Sequence, residues 1–264
     1  AVAAVEAAGD LRLERLQDHE PAVWVGSSPA LGAALTVSAD GRLELVFTAG
    51  DGEPATIGLA LEACGGEGRA QAAPVREVWP GESRLILDRD GLRQTVVNGG
   101  DGVLQALEVR AAPVGWDGAS PLELTFELAE GTIAEPFGER ALRLATAAEP
   151  GRALAELRLE GVTAASGRSP AARLESASGR VRLLVDAGPE DLPLGLKLLL
   201  QPPTWVVWGG QVGAQAGHAV AAAGDVNGDG YSDVVVGSPL WDGGKTDEGR
   251  VRVYHGSATG LATS

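Results

Sequence analysis

An all-β fold, sandwich-like over its N-terminal part, is what this chain predicts, on three observations. Apolar and charged residues alternate with period two in run after run. Asp-Gly and Asn-Gly pairs fall between the runs. Gly, at 38 of 264 residues, and Pro, at 15, are plentiful. Alternation sends apolar side chains to one face of a strand and charges to the other. Asp, Asn and Gly tolerate positive φ, so they mark tight turns and hairpins. Short strands joined by such turns build a sandwich or a barrel.

In chain order, residues 1–10 (AVAAVEAAGD) read either as a short helix or as a loose end. Alternation begins at Leu11-Arg12-Leu13-Glu14 and recurs at Arg42-Leu43-Glu44-Leu45. Its cleanest instance runs from Leu122 to Leu128, predicting a strand with one charged face. Leu157-Arg158-Leu159-Glu160 and Arg180-Val181-Arg182-Leu183 follow. Turns are predicted at Asp40-Gly41, Asp51-Gly52, Asp90-Gly91, Asn98-Gly99 and Asp117-Gly118. A helix is the alternative for Ala141 to Leu157, although Pro150-Gly151 interrupts it. The Gly-, Pro- and Ala-rich stretch from Ala111 to Pro121 either separates two β-subdomains or is a long loop within one. A firmer break is Gln201-Pro202-Pro203-Thr204, because two prolines cannot continue a central strand. A sandwich-like domain over residues 1–200 and a second unit over residues 205–264 follow.

Hydrophobic residues make up 44% of the chain but aromatics only 4%, so Leu, Val and Ala must do most of the packing. A net charge of −15 repels nucleic acid and anionic membranes, which both need a basic patch, and favours solubility and divalent cations. The single cysteine, Cys64, excludes an intramolecular disulfide without deciding the compartment. It has no basic neighbour to lower its pKa and reads as a small buried or semi-exposed side chain. Methionine is absent even at position 1, so processing of something longer is expected, and removal of a signal peptide is one ordinary cause. No run approaches the ~18 apolar residues of a membrane-spanning helix. The stretch from Leu192 to Leu200 is broken by Pro193, Gly195 and Lys197.

Chemistry is concentrated in Asp225-Val226-Asn227-Gly228-Asp229-Gly230-Tyr231-Ser232-Asp233. The pattern is D-x-N-x-D-G-x-x-D. Side-chain oxygens of Asp225, Asn227, Asp229 and Asp233 can converge if the loop curls, and Gly230 permits the sharp turn. Tyr231 would add its backbone carbonyl. Hard oxygen donors in a flexible ring are what Ca²⁺ prefers. Three carboxylates this close repel one another unless a cation neutralises them. An Asx-rich turn without metal is the simpler alternative, but a turn does not require four spaced ligands. An EF-hand is excluded: its twelfth position is a bidentate Glu between helices, whereas here it is Val236, inside the strand-like Val234-Val235-Val236.

These residues, with Ala216-Gly217, Gly224-Asp225, Gly237-Ser238-Pro239 and Gly249 to Tyr254, resemble an FG-GAP repeat. That repeat is the blade of integrin α-subunit propellers and of many bacterial surface proteins. The resemblance spans about Val206 to Gly256 and implies a Ca²⁺-bearing blade in an exported or cell-surface protein, of bacterial type. One departure is Ala216 in place of the family's Phe, for which Trp205, Trp208 or Trp241 would compensate. The region before it is more weakly similar to β-rich domains that precede FG-GAP arrays, through Gly91 to Val109 and Arg180 to Leu194.

A lone blade cannot bury its own faces, since propellers close when about four to eight blades stack. Partners are therefore expected to be further blades or other subunits. One expectation is that the chain is a fragment of a longer propeller protein. The alternative is a filament or surface-layer subunit assembled by β-strand addition. The leading functional expectation is a structural or adhesion protein. An exported carbohydrate- or lipid-active enzyme, or a lectin with glycan ligands, is the other class. No catalytic constellation is legible: there is no H-E-x-x-H, G-x-S-x-G or P-loop. His19, His218 and His255 read as solvated or packing residues, and Asp88 with Asp90 as turn residues.

Overall fold

The structure is a computed structural model that describes residues 12–17, 20–47, 54–150, 153–203, 210–256 and 261. Residues 1–10, Leu11, His19, the Asp51-Gly52 pair, Thr204, Trp205 and Trp208 lie outside them. The chain divides into two compact units, Ala1–Pro203 and Thr204–Ser264. The described secondary structure is strand with one short 3₁₀ turn, Pro189–Asp191.

In the first unit two antiparallel sheets share one apolar core. The first sheet runs, in spatial order, β1 (Glu14–Arg15), β2 (Val23–Ser28), β3 (Ala33–Ser38), β4 (Arg42–Phe47), β5 (Ala55–Gly66), β11 (Leu122–Leu128), β16 (Arg180–Val185), β15 (Ala172–Ala177). The short β6 (Gln71–Ala72) pairs with β5. The second runs β12 (Thr132–Pro136), β13 (Ala141–Thr146), β14 (Ala155–Ala164), β17 (Leu194–Gln201), β10 (Gly102–Val109), β9 (Leu92–Gly99), β8 (Arg84–Arg89), β7 (Val75–Pro80). Two late strands stitch early and late segments together: β11 lies between β5 and β16, and β17 between β10 and β14. The stretch from Ala111 to Pro121 carries the chain from β10 in one sheet to β11 in the other. The core is largely leucine and valine from both sheets, among them Leu35, Leu45, Leu85, Leu124 and Leu198, with Phe126 the largest fully buried side chain. Cys64 lies within it, and burial pushes its thiol up to about 12.

Local chemistry departs from expectation at Leu122–Leu128 and at Asn98-Gly99. The strand β11 is buried on both faces rather than one. Its outward Glu123 and Thr125 are covered because Arg182 on the neighbouring β16 folds over them: Arg182 Nε and Nη2 donate to Glu123 at 2.9 and 3.0 Å. Asn98 and Gly99 end the strand β9, and the hairpin turn follows at Gly100-Asp101. Asn98 is buried and its Nδ2 donates to Ser27 O at 2.7 Å, which keeps it in the sandwich. Asp117-Gly118 turns within the inter-sheet connection rather than in a hairpin. The described residues of Ala141 to Leu157 form β13 and part of β14 rather than the alternative helix, because both strands find ladder partners in the second sheet.

The second unit holds an antiparallel sheet of β18 (Ala219–Gly224), β19 (Asp233–Ser238) and β20 (Arg250–Tyr254). A propeller blade has four strands; three are present among the described residues. Register places Ala221, Val235 and Val253 side by side, with Gly237 and Val251 on the same face two residues on. Val251 is 67% and Val253 42% exposed, so this apolar face is uncovered within the unit.

Candidate metal centre

The loop between β18 and β19 is shaped by its own side chains. Asp225 Oδ1 accepts the amide N–H groups of Gly228 and Asp229 at 2.7 and 3.0 Å, and Oδ2 accepts that of Gly230 at 2.8 Å. Gly228 and Gly230 sit at φ of 77° and 90°, a region costly for other residues, which lets the chain curl round that carboxylate. Asn227 Oδ1 accepts from Asp229 N at 3.1 Å, and Asn227 Nδ2 donates to Asp229 Oδ2 at 2.7 Å. Asp229 Oδ1 accepts from Tyr231 N at 2.9 Å. Asp225, Asn227 and Asp229 are thus gathered in one exposed loop, with Tyr231 attached through its amide.

Asp233 behaves differently. It is fully buried at the start of β19. Its Oδ1 accepts from Gly256 N and its Oδ2 from Val226 N, both at 2.8 Å. His255 Nδ1 lies 3.4 Å from Oδ2. The Gly256 amide, with smaller contributions from Val226 and His255, holds this carboxyl below the usual carboxylate range against the opposing effect of burial. Asp233 therefore latches the loop to the end of β20. His255 and Gly256 were not legible as partners, since they stand over twenty residues along the chain and no local spacing announces them.

Among the described residues no three Asp, Glu, His or Cys side chains converge as a metal-holding group. The carboxylates of Asp225, Asp229 and Asp233 are turned onto backbone amides in this conformation. The donor chemistry nevertheless fits a hard cation: every predicted donor is oxygen, and the loop concentrates three acidic side chains. Elsewhere in the unit Ala216 is exposed. Trp241 carries Arg250 over its ring, 3.3 Å from the centroid.

The unit is a small antiparallel sheet with an Asx-rich loop between adjacent strands. The FG-GAP repeat family model matches residues 216–254, within this unit. Integrin alpha pat-2 of Caenorhabditis elegans is 60% identical over 45 residues, 17% of this chain and 4% of that protein. Integrin alpha-IIb of Mus musculus is 38% identical over 63 residues, 24% of this chain and 6% of its own length. Integrin alpha-8 of Mus musculus is 41% identical over 64 residues, again 6% of its length. The chain thus spans only a few per cent of these relatives. No solved structure matches it.

Proposed function

We infer that the second unit is a Ca²⁺-stabilised propeller blade of an extracellular or cell-surface structural or adhesion protein, acting by binding rather than catalysis. The observation that carries this reading is the uncovered apolar face of the blade, with Val251 and Val253 exposed on a sheet of an integrin-type repeat. Exposed apolar strands of this kind are costly in water unless a partner covers them. A further FG-GAP blade, in the same protein or in another subunit, supplies a matching surface. Asp225, Asn227, Asp229 and Asp233, with the Tyr231 carbonyl, would hold the cation. When bound, Ca²⁺ would neutralise the carboxylates of Asp225 and Asp229, which the loop's amides hold in this conformation.

The test is thermal unfolding with Ca²⁺ and with EDTA. Calcium is expected to raise the midpoint of the second unit, and Asp229→Ala to abolish that increment. An EDTA-insensitive wild-type transition would count against the metal. A monodisperse monomer that buries no surface on addition of an integrin-type blade fragment would count against the partner.

A further inference from the structure

The outer face of the second sheet carries a trough of about 630 Å³ in which the acidic loop plays no part. Directly paired residues on adjacent strands share a face, so register sets out what this face displays. One row reads Trp79, Ile86, Thr95, Ala106, Lys197, running from the edge strand β7 to the central β17. The next reads Asp88, Arg93, Glu108, Gly195, Thr163. Central strands facing water ordinarily display long polar side chains. Here the floor is Ala106 and Gly195, beside Gly161 at a bulge in β14. Glycine inside a strand weakens it and leaves room for close approach; at Gly195 Thr163 Oγ1 takes that room, 2.6 Å from where a Cβ would lie, whereas Gly161 opens onto free space.

The walls carry hydrogen-bonding groups of both kinds. Arg93, Lys197, Thr95 and Thr163 carry donors, and Glu108 and Glu160 acceptors; Arg93 Nε also donates to Asp88, and Glu108 also accepts from Arg110. At the end of the first row Trp79 stays 41% exposed. The Arg93 guanidinium lies 5.5 Å from its ring centroid, which helps to fix the plane of the indole. Four strand spacings separate β7 from β17, roughly 19 Å.

We propose that this face binds a short neutral oligosaccharide. A sugar presents hydroxyls that both donate and accept, together with C–H faces that stack on an indole; the trough offers the hydrogen-bonding groups, and Trp79, two strands beyond its β9 wall, the indole. Two cationic and two acidic walls leave no net attraction for a polyanion, and the chain's charge of −15 repels one. An extended peptide is disfavoured, because strand addition needs a free edge and the backbone groups of β9, β10, β17 and β14 are already paired.

The full chain is tested in EDTA on an array of neutral, uronic and sulfated glycans, so that failure of the calcium reading leaves this one standing. Binding confined to neutral oligosaccharides is expected. Titration of the best hit should then show Trp79→Ala and Ala106→Arg each lowering affinity about tenfold, the loss of one stacking contact or of the floor. Trp79 lies on an exposed edge, so its variant should keep the wild-type unfolding midpoint. No neutral hit above background on the multivalent array, hits restricted to anionic glycans, or unchanged affinity in both variants overturns the proposal.

Discussion

Two buried charges show how single residues are accommodated here. Glu123 faces outward from a central strand yet is nearly covered. The Arg182 hydrogen bonds, with Gly68 N–H and the Thr125 hydroxyl, bring its pKa down to about 2 against the cost of burial. A depressed folded-state pKa stabilises above the unfolded value and loses that stabilisation as pH falls. The contribution of Glu123 should therefore be complete above about pH 4.5 and vanish toward pH 2. Glu123→Gln is expected to be less stable at pH 7 and to show a flatter acid limb in urea unfolding across that window. Arg89 is the opposite case, a cation inside the sandwich whose pKa burial lowers to about 10. Its Nη2 donates to Gln94 Oε1 at 2.9 Å, and Gln94 Nε2 donates to Gln105 Oε1 at 2.8 Å. Neither Gln94 nor Gln105 looks like a core residue in sequence; strand register turns all three inward.

At the scale of elements, hairpins separate glycines needed for conformation from glycines needed for space. Ser178 and Gly179 both adopt positive φ, 51° and 74°, and join β15 to β16 in a two-residue loop. A Cβ on Gly179 would meet open space. Gly102, at φ 136°, opens β10 where a Cβ would overlap the backbone carbonyl of Leu200 on β17. Gly179→Ala should cost about 1–2 kcal/mol of left-handed strain. Gly102→Ala should cost clearly more, because it also forces apart the pairing that joins the two halves of the second sheet. Chemical unfolding of both variants checks the order. The Asp-Gly turns at residues 40–41 and 90–91 close their hairpins as expected. The Ser-Gly turn was less visible, since serine is not a strong positive-φ residue.

For the whole molecule, the division at Pro203 and Thr204 predicts two unfolding events. The larger unit has a continuous core of its own. The blade has little: Val236 and Tyr254 are buried, while Val220, Val251 and Val253 are exposed. Differential scanning calorimetry of the full chain is expected to resolve a lower transition that moves with Ca²⁺ and EDTA and an upper one that does not. A single transition shifting as one with calcium would show that the units unfold together.

Periodicity and turn chemistry were enough to establish an all-β chain, because side-chain alternation is a local property of extended backbone. Asp225 to Asp233, with the flanking Gly-Ser-Pro and closing strand, were enough to mark the segment that the FG-GAP repeat family model matches. Only tertiary structure decided what depends on contacts between distant segments. It set β11 between β5 and β16 and β17 between β10 and β14, covered Glu123 with Arg182, and latched Asp233 to Gly256. It also aligned Trp79 with Lys197 across five strands. Strand order and register are set by which faces must be buried together, and no stretch of residues carries that information alone.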